Sequence, residues 1–297
     1  MRIVISGSSG LIGTALRSSL VGSGHDVVRL VRRAAGAGEV QWDPRAGTLD
    51  PHSLEGVDAV INLSGAGIGD KRWTPAYKQE LLDSRLRTTQ LLASTIATAE
   101  QGPRVLLSGS AIGVYGPRDD EQLDESSTIG SGFLADLCRQ WEDATGAADS
   151  AGARVAHLRT GIVLSRAGGA LKKQLPLFKF GLGGKFGSGK QWQSWISLPD
   201  EVAAITHLLT ADVHGPVNLT APSPVTNAEF TRVLAAVLKR PAFLPIPSFG
   251  PKLLLGGELA ENLLFTGQRV LPAVLQRSGF AFSHPTIELA LRSLLDR

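Results

Sequence analysis

The chain has 297 residues, 43% hydrophobic and 19% charged, with a formal net charge of only +3. That balance describes a globular protein with a sizeable core and excludes a disordered chain. No basic run exceeds Arg32-Arg33 or Lys172-Lys173, which argues against a nucleic-acid partner, and the single cysteine, Cys138, excludes an intramolecular disulfide and a thiolate metal cluster, so no metal site is expected.

The first thirteen residues carry the strongest local signal. Ile3-Val4-Ile5 reads as a buried strand over 2–6, glycines follow at 7, 10 and 13, and a helical pattern runs over 11–22. Strand, glycine turn and helix is the layout that seats a dinucleotide pyrophosphate on a helix N-terminus. Gly7 suits the tight turn, Gly10 a close approach of backbone to phosphate, and Gly13 the packing of helix on strand. The spacing is G-x-x-G-x-x-G, and Ser9, Leu11 and Ile12 fall within the same turn. A second strand over 26–32 ends at Arg32 and Arg33, where an NAD-preferring site would place an acid. Guanidinium groups there suit a 2′-phosphate and point to NADP(H).

A strand over 57–63 runs into Leu63-Ser64-Gly65, small residues that let a ribose lie against backbone. A long helix is expected over 74–98. The next strand, 104–108, leads into Ser108-Gly109-Ser110-Ala111-Ile112-Gly113-Val114-Tyr115-Gly116, which puts hydroxyls at a strand's carboxyl end. A helix over 133–147 and a strand over 153–159 follow, and the sheet is expected to end near Leu164. Glycines crowd 167–194, read as a long loop with one short helix, in which Lys190 could meet an anion and Trp192 or Trp195 could stack. A helix from Val202 to Leu209 and a strand from Pro216 to Leu219 come next. Thr226-Asn-Ala-Glu229 has the form of a capping box that starts a helix reaching about Lys239. Amphipathic stretches at 252–265 and 285–296 make the last sixty residues look helical. Alternating strands and helices imply a parallel, doubly wound Rossmann-type sheet.

The glycine spacing and the S-G-S-A-I-G-V-Y-G stretch resemble the extended short-chain dehydrogenase/reductases, among them the nucleotide-sugar epimerases. A more specific resemblance is to an atypical epimerase-like branch with its own C-terminal domain. It rests on Arg72-Trp73-Thr74, Asp83-Ser84-Arg85, Trp141-Glu142, Arg159-Thr160-Gly161, Gly187-Ser-Gly189-Lys-Gln191, Ser194-Trp195-Ile196, Asn227-Ala-Glu229-Phe230 and Gly267-Gln268-Arg269-Val270. The resemblance implies that Glu80 and Arg85 face the cofactor, that Leu63 and Ser64 line the adenosine ribose, and that Ser108 and Thr160 also belong to the cofactor site.

One departure stands out. Relatives use Tyr-x-x-x-Lys to move a proton, and no such motif exists here: the corresponding helix reads Phe133-Leu-Ala-Asp-Leu-Cys138. Ser197 also stands where the branch commonly has histidine. Two readings follow. Another group supplies the proton, with Ser110 and Tyr115 the first candidates and Asp124, Glu125 and Asp136 next, or the protein binds NADPH without turnover, as a sensor or regulator.

The expected architecture is a Rossmann domain over 1–165, to which a helix near 199–210 returns, and a smaller mixed α/β lobe over 166–297 on the substrate side. The expected chemistry is NADP(H)-dependent oxidoreduction or epimerisation of a small polar or nucleotide-linked substrate. No membrane partner and a cytoplasmic location are expected, because the apolar start is too short for a signal peptide or a spanning helix. The sequence leaves the substrate and the oligomeric state open.

Overall fold

The computed structural model describes residues 1–296. The glycine-turn unit forms as the spacing implies. Strand β1, Arg2–Ser6, sends Ile3 and Ile5 to one side and Val4 to the other, the alternation of a strand buried on both faces. Helix α1, Leu11–Gly22, then lays Leu16 and Leu20 onto the Ile3/Ile5 side. Strand β2, Asp26–Val31, is followed by β3, Glu39–Gln41, which sequence reading missed: three residues carry too little pattern to register. Strand β4 is Ala59–Asn62. Helix α2, Pro75–Thr98, opens with Thr74 accepting from the Tyr77 amide and with proline at its start, where no amide is needed.

Strand β5 runs Val105–Ala111, three residues past its expected end, and is followed by the two-residue β6, Gln122–Leu123. The helix expected over 133–147 is two, α3 Phe133–Asp143 and α4 Gly146–Ser150. Between them the Thr145 hydroxyl donates to the Glu142 carbonyl and meets His157, so a side chain takes over where the helix breaks. Strands β7, Arg154–Thr160, and β8, Ile162–Leu164, close the first half.

The stretch 167–194 contains helix α5, Gly169–Lys179, and then loop up to β9, Trp192–Gln193. Strand β10, Trp195–Ser197, leads into α6, Leu198–Leu208, where Ser197 accepts from the Asp200 amide. Strand β11 is Gly215–Leu219 and β12 is Val225–Thr226. Helix α7, Asn227–Leu238, begins on only half of the expected capping box: Thr226 accepts from the Glu229 amide, but the Glu229 carboxylate turns to Arg232. The amphipathic 252–265 stretch is broken at Gly256, φ 94°, into α8, Phe249–Leu255, and α9, Gly257–Ala260. The short β13, Arg269–Val270, then precedes α10, Ala273–Arg277, and α11, Ile287–Leu295.

Seven strands form one parallel sheet in the order β11-β7-β5-β4-β1-β2-β3. Strand β11, expected in the smaller lobe, is the edge of this sheet beside β7, because α6 packs on α1 and brings the chain back. One face of the sheet is covered by α1 and α6, the other by α2 and α4 around Leu92, Ile96 and Ala148. A separate core joins α5, α7 and α11 through Leu175, Phe178, Trp195, Phe230, Leu234 and Leu291, giving the mixed C-terminal lobe.

Candidate cofactor cleft and its buried polar network

The cleft opens at the carboxyl ends of β1, β2 and β4, where open α/β sheets bind ligands. It measures about 1310 Å³ and is lined by the turn Gly7–Gly10, by Arg29 to Arg33, by Leu63 to Gly67 and by one side of α2. The three glycines have different reasons to be there. Gly7 has φ +70°, and a Cβ would lie 2.5 Å from the Leu63 carbonyl oxygen. A Cβ on Gly13 would lie 2.3 Å from the Gly7 carbonyl oxygen. A Cβ on Gly10 would meet only the Gly7 oxygen, at 3.4 Å. Gly7 and Gly13 are therefore demanded by the fold, whereas Gly10 faces the cleft and caps α1 without a side chain. An uncapped helix N-terminus beside an open glycine suits an anion.

Ser9, Leu63, Ser64, Gly65, Arg32, Arg33 and Glu80 line the cleft; Leu11, Ile12, Gly13, Arg85, Ser108 and Thr160 do not. Glu80 is paired with Lys71 at 2.9 Å. Arg85 lies beneath Gly65 and stacks over Trp141, with Nη1 and Nη2 on the Leu81 and Ala66 carbonyls and Nε buried without a partner. The Ser108 hydroxyl is likewise buried and unpartnered.

The two arginines after β2 prove unequal. Strand β3 aligns Glu39 with Arg29, and Arg33 grips the same carboxylate through two bonds of 2.7 Å. The Arg33 hydrogen bonds, assisted by the Gly36 amide, hold Glu39 down to about 2. Arg33 is thus already engaged, and an acid does stand beside β2, brought by a strand the sequence did not announce. Arg32 and Arg45 line the cleft with no side-chain partner among the described residues.

Ser110 and Tyr115, expected at the reacting end, are engaged by other side chains. Both are buried, at 4% and 0% exposure, and neither lines the cleft. The Ser110 hydroxyl donates to Glu142 at 2.6 Å, and Arg159 binds that carboxylate through two bonds of 2.8 Å. Arg159 also donates to the Tyr115 oxygen at 3.0 Å, and Tyr115 donates to Asn218 at 2.8 Å. Burial pushes the Tyr115 hydroxyl above its ordinary range, and Arg159 only partly offsets this. Burial also works against the Glu142 carboxylate, but Arg159 outweighs it and holds the group below its usual range. The tyrosine's proton is therefore held by the protein.

Among the reserve candidates, Asp124 binds the Ser126 amide and hydroxyl, and Asp136 is exposed on α3. Glu125 accepts from the Asn218 and Val274 amides. Burial drives the Cys138 thiol up to about 12, which removes it as a nucleophile. Lys190 is exposed, while Trp192 reaches Asp120 and stacks under Arg269, and Trp195 is buried in the lobe.

One acid escaped sequence reading. Glu201, in the first turn of α6, is fully buried; Thr160 donates to its Oε1 at 2.9 Å, while Oε2 has no partner. Burial pushes this carboxyl up to about 8.

A Rossmann sheet with this glycine turn and a C-terminal lobe defines an extended short-chain dehydrogenase/reductase. Residues 3–136 match the NAD dependent epimerase/dehydratase family, and residues 246–294 match a domain of unknown function, DUF1731. An epimerase family protein of Mycobacterium bovis is 48% identical over 97% of this chain and 96% of its own length. Human epimerase family protein SDR39U1 is 38% identical over 99% of this chain and all of its own. The chain belongs to this epimerase family. A crystal structure of the human protein with NADPH superposes with a TM-score of 0.90 at 37% identity, covering 100% of this chain and 99% of that one. A nucleoside-diphosphate sugar epimerase from Corynebacterium glutamicum gives 0.79 at 36% identity, covering 99% of this chain and 58% of that one.

Two outcomes are expected from this geometry. Gly10→Val leaves thermal unfolding of the protein nearly unchanged while abolishing dinucleotide binding in calorimetry. Gly13→Ala loses stability, on the order of the 1–3 kcal/mol typical of overpacking. Equal loss of stability in both variants would contradict the division of roles. For Glu201, the folded carboxyl binds its proton more tightly than the unfolded one, whose ordinary value is 4.5. Stability is full below about 4.5, falls as pH rises towards about 8 and levels off above it. In urea titrations across that window Glu201→Gln removes this slope; an unchanged slope in the variant assigns it to another group.

Proposed function

We propose that the chain binds NADP(H) in this cleft and uses it in hydride transfer, as an oxidoreductase or epimerase acting on a small polar or nucleotide-linked substrate. The observation that carries the binding reading is the open Gly10 turn at the uncapped end of α1. Family membership and the NADPH in the human structure support it. The turn Gly7–Gly10 takes the pyrophosphate, Leu63 to Gly65 the adenosine ribose and Arg32 the 2′-phosphate. The bound cofactor supplies the hydride acceptor or donor. Arg85, buried beneath Gly65, fixes the floor on which that ribose lies, and Arg33 orients the segment that carries Arg32 through its hold on Glu39.

One observation favours the second reading, a cofactor-binding regulator without turnover. The hydroxyls of Ser110 and Tyr115 are spent within the protein, and Phe133 or Leu134, with Cys138, stands where a proton-transferring pair is expected. In that reading Ser110 and Tyr115 secure the end of β5 rather than move a proton. Incubation of the protein with deuterium-labelled NADPH and metabolite pools separates the two: label transferred to any metabolite establishes the enzyme, and tight binding without transfer establishes the regulator. Tyr115→Phe leaves the Asn218 and Arg159 groups partly unpaired and is expected to cost about 1–3 kcal/mol in urea unfolding. A Tyr115→Phe protein of unchanged stability that has lost turnover would return the hydroxyl to the chemistry.

Cofactor choice rests on Arg32. A hydrogen bond to a charged group contributes about 1.5–3 kcal/mol, so Arg32→Ala is expected to weaken NADPH by roughly ten- to a hundredfold. Calorimetry on the same variant should show NADH little changed. Equal affinity of the wild-type protein for both cofactors would defeat this assignment.

A further inference from the structure

The charge of the chain is unevenly distributed. Residues 167–199 and 230–257 contain nine of the thirty Lys and Arg residues and none of the twenty-seven acids, which leaves the remainder of the chain at −6 although the whole is +3. These two stretches lie side by side in the lobe. The Ile246 amide donates to the Lys185 carbonyl at 2.8 Å, the Gly187 amide donates to the Ile246 carbonyl at 3.0 Å, and Gly181 abuts Pro241. They also hold eight of the twelve large apolar side chains that stand exposed among the described residues. Phe180 and Phe243 are 81% and 88% exposed, with Leu182 and Leu244 beside them in sequence, and Phe249, Leu253 and Leu254 follow on α8. Scattered exposed apolars are normal on a protein surface; a concentration of this kind marks a contact.

The face has relief as well as charge. Along α7, Ala228, Ala235 and Ala236 leave a groove of about 630 Å³, walled by Pro241, Ala242 and Phe243. Lys239 takes the left-handed conformation at the end of α7, φ 54°, and turns the chain so that Lys239, Arg240 and Lys185 edge the groove. Some cations on these stretches are already neutralised, Arg232 by Glu229 and Lys252 by Glu261. Lys172, Lys179, Lys185, Lys239 and Arg240 are exposed and make no ion pair among the described residues.

We propose that this face docks on an anionic phospholipid surface, with the phenylalanines and leucines entering the interface and the lysines meeting the headgroups. An apolar layer fringed by unpaired cations is the composition such a surface selects. A second copy of the chain applied through the same face would set Lys179, Lys185, Lys239 and Arg240 against themselves, which disfavours it as the occupant. No helix among the described residues is long and apolar enough to cross a membrane, so the contact is peripheral. The expectation of no membrane partner came from the short apolar N-terminus, which does not register this face.

The test is sedimentation of the full chain with vesicles of phosphatidylcholine alone and of phosphatidylcholine with phosphatidylglycerol. Binding is expected only with phosphatidylglycerol present, and it should weaken as salt is raised. Each cation at such a surface is worth roughly fivefold in affinity, so the double charge reversal Lys239→Glu with Arg240→Glu should weaken binding by more than about tenfold. Phe243→Ser, which removes apolar contact without changing charge, should weaken it independently while melting temperature and NADPH affinity stay as in the wild type. The proposal fails if phosphatidylglycerol vesicles capture no protein at low salt, or if both variants bind like the wild type. It also fails if light scattering shows a dimer that Phe243→Ser turns into a monomer, for the face would then be covered by a second copy.

Discussion

The fold hangs on a three-way backbone approach at the start of the chain. The Gly7 carbonyl oxygen lies 2.3 Å from where a Cβ on Gly13 would fall, and the Leu63 carbonyl oxygen 2.5 Å from where a Cβ on Gly7 would fall. With no side chain at either position, β1, α1 and the end of β4 approach one another too closely for a Cβ to fit between them. That closure points the N-terminus of α1 at the carboxyl edge of the sheet and opens the cleft beside it. A packed parallel sheet buried on both faces transmits the constraint, because shifting α1 outward would also displace α6, which shares one core with edge strand β11.

Polar groups at that edge are arranged by the same closure. Asn62 accepts from the Ser6 hydroxyl at 2.6 Å and donates to Thr89 at 2.8 Å, and the Trp141 indole donates to Thr89 at 3.0 Å. Trp141 stacks with Arg85, which in turn lies under Gly65. The floor of the cleft is thus continuous, through hydrogen bonds and one stacked pair, with the helix that carries Glu142. An unpaired member of so buried a chain would carry its full desolvation cost, and this favours one fixed arrangement.

What could be read from the sequence was local. The glycine spacing, the strand periodicity and the cap at Thr226 each depend on residues within a few positions of one another, and β1, α1, β2 and α7 lie within a few residues of their expected ends. What could not be read was pairing over distance. Glu39 reaches Arg33 only because a three-residue strand aligns it with Arg29, and nothing in the local composition distinguishes that strand from loop. Tyr115 and Asn218 are 103 residues apart, and Thr160 and Glu201 are 41 apart. A hydroxyl at a strand's end looks the same in sequence whether it faces a ligand or a buried carboxylate. Motif reading therefore anticipated the glycine turn as a structural unit but not the buried partners of the two hydroxyls.

The Arg159–Glu142 pair explains why a hydroxyl-rich strand end can lose contact with the cleft. A buried guanidinium and carboxylate recover their desolvation cost only if their remaining hydrogen-bonding capacity is met. Ser110 meets one carboxylate oxygen and Tyr115 meets the free Nη1, so the pair recruits both hydroxyls. Asn218, on the edge strand, fixes the tyrosine from the other side and itself donates to the Leu271 carbonyl of the lobe. The network therefore links sheet and lobe across the fold, a task that competes with proton transfer for the same two side chains. Removal of the charged pair should free those hydroxyls only at the cost of the junction between sheet and lobe.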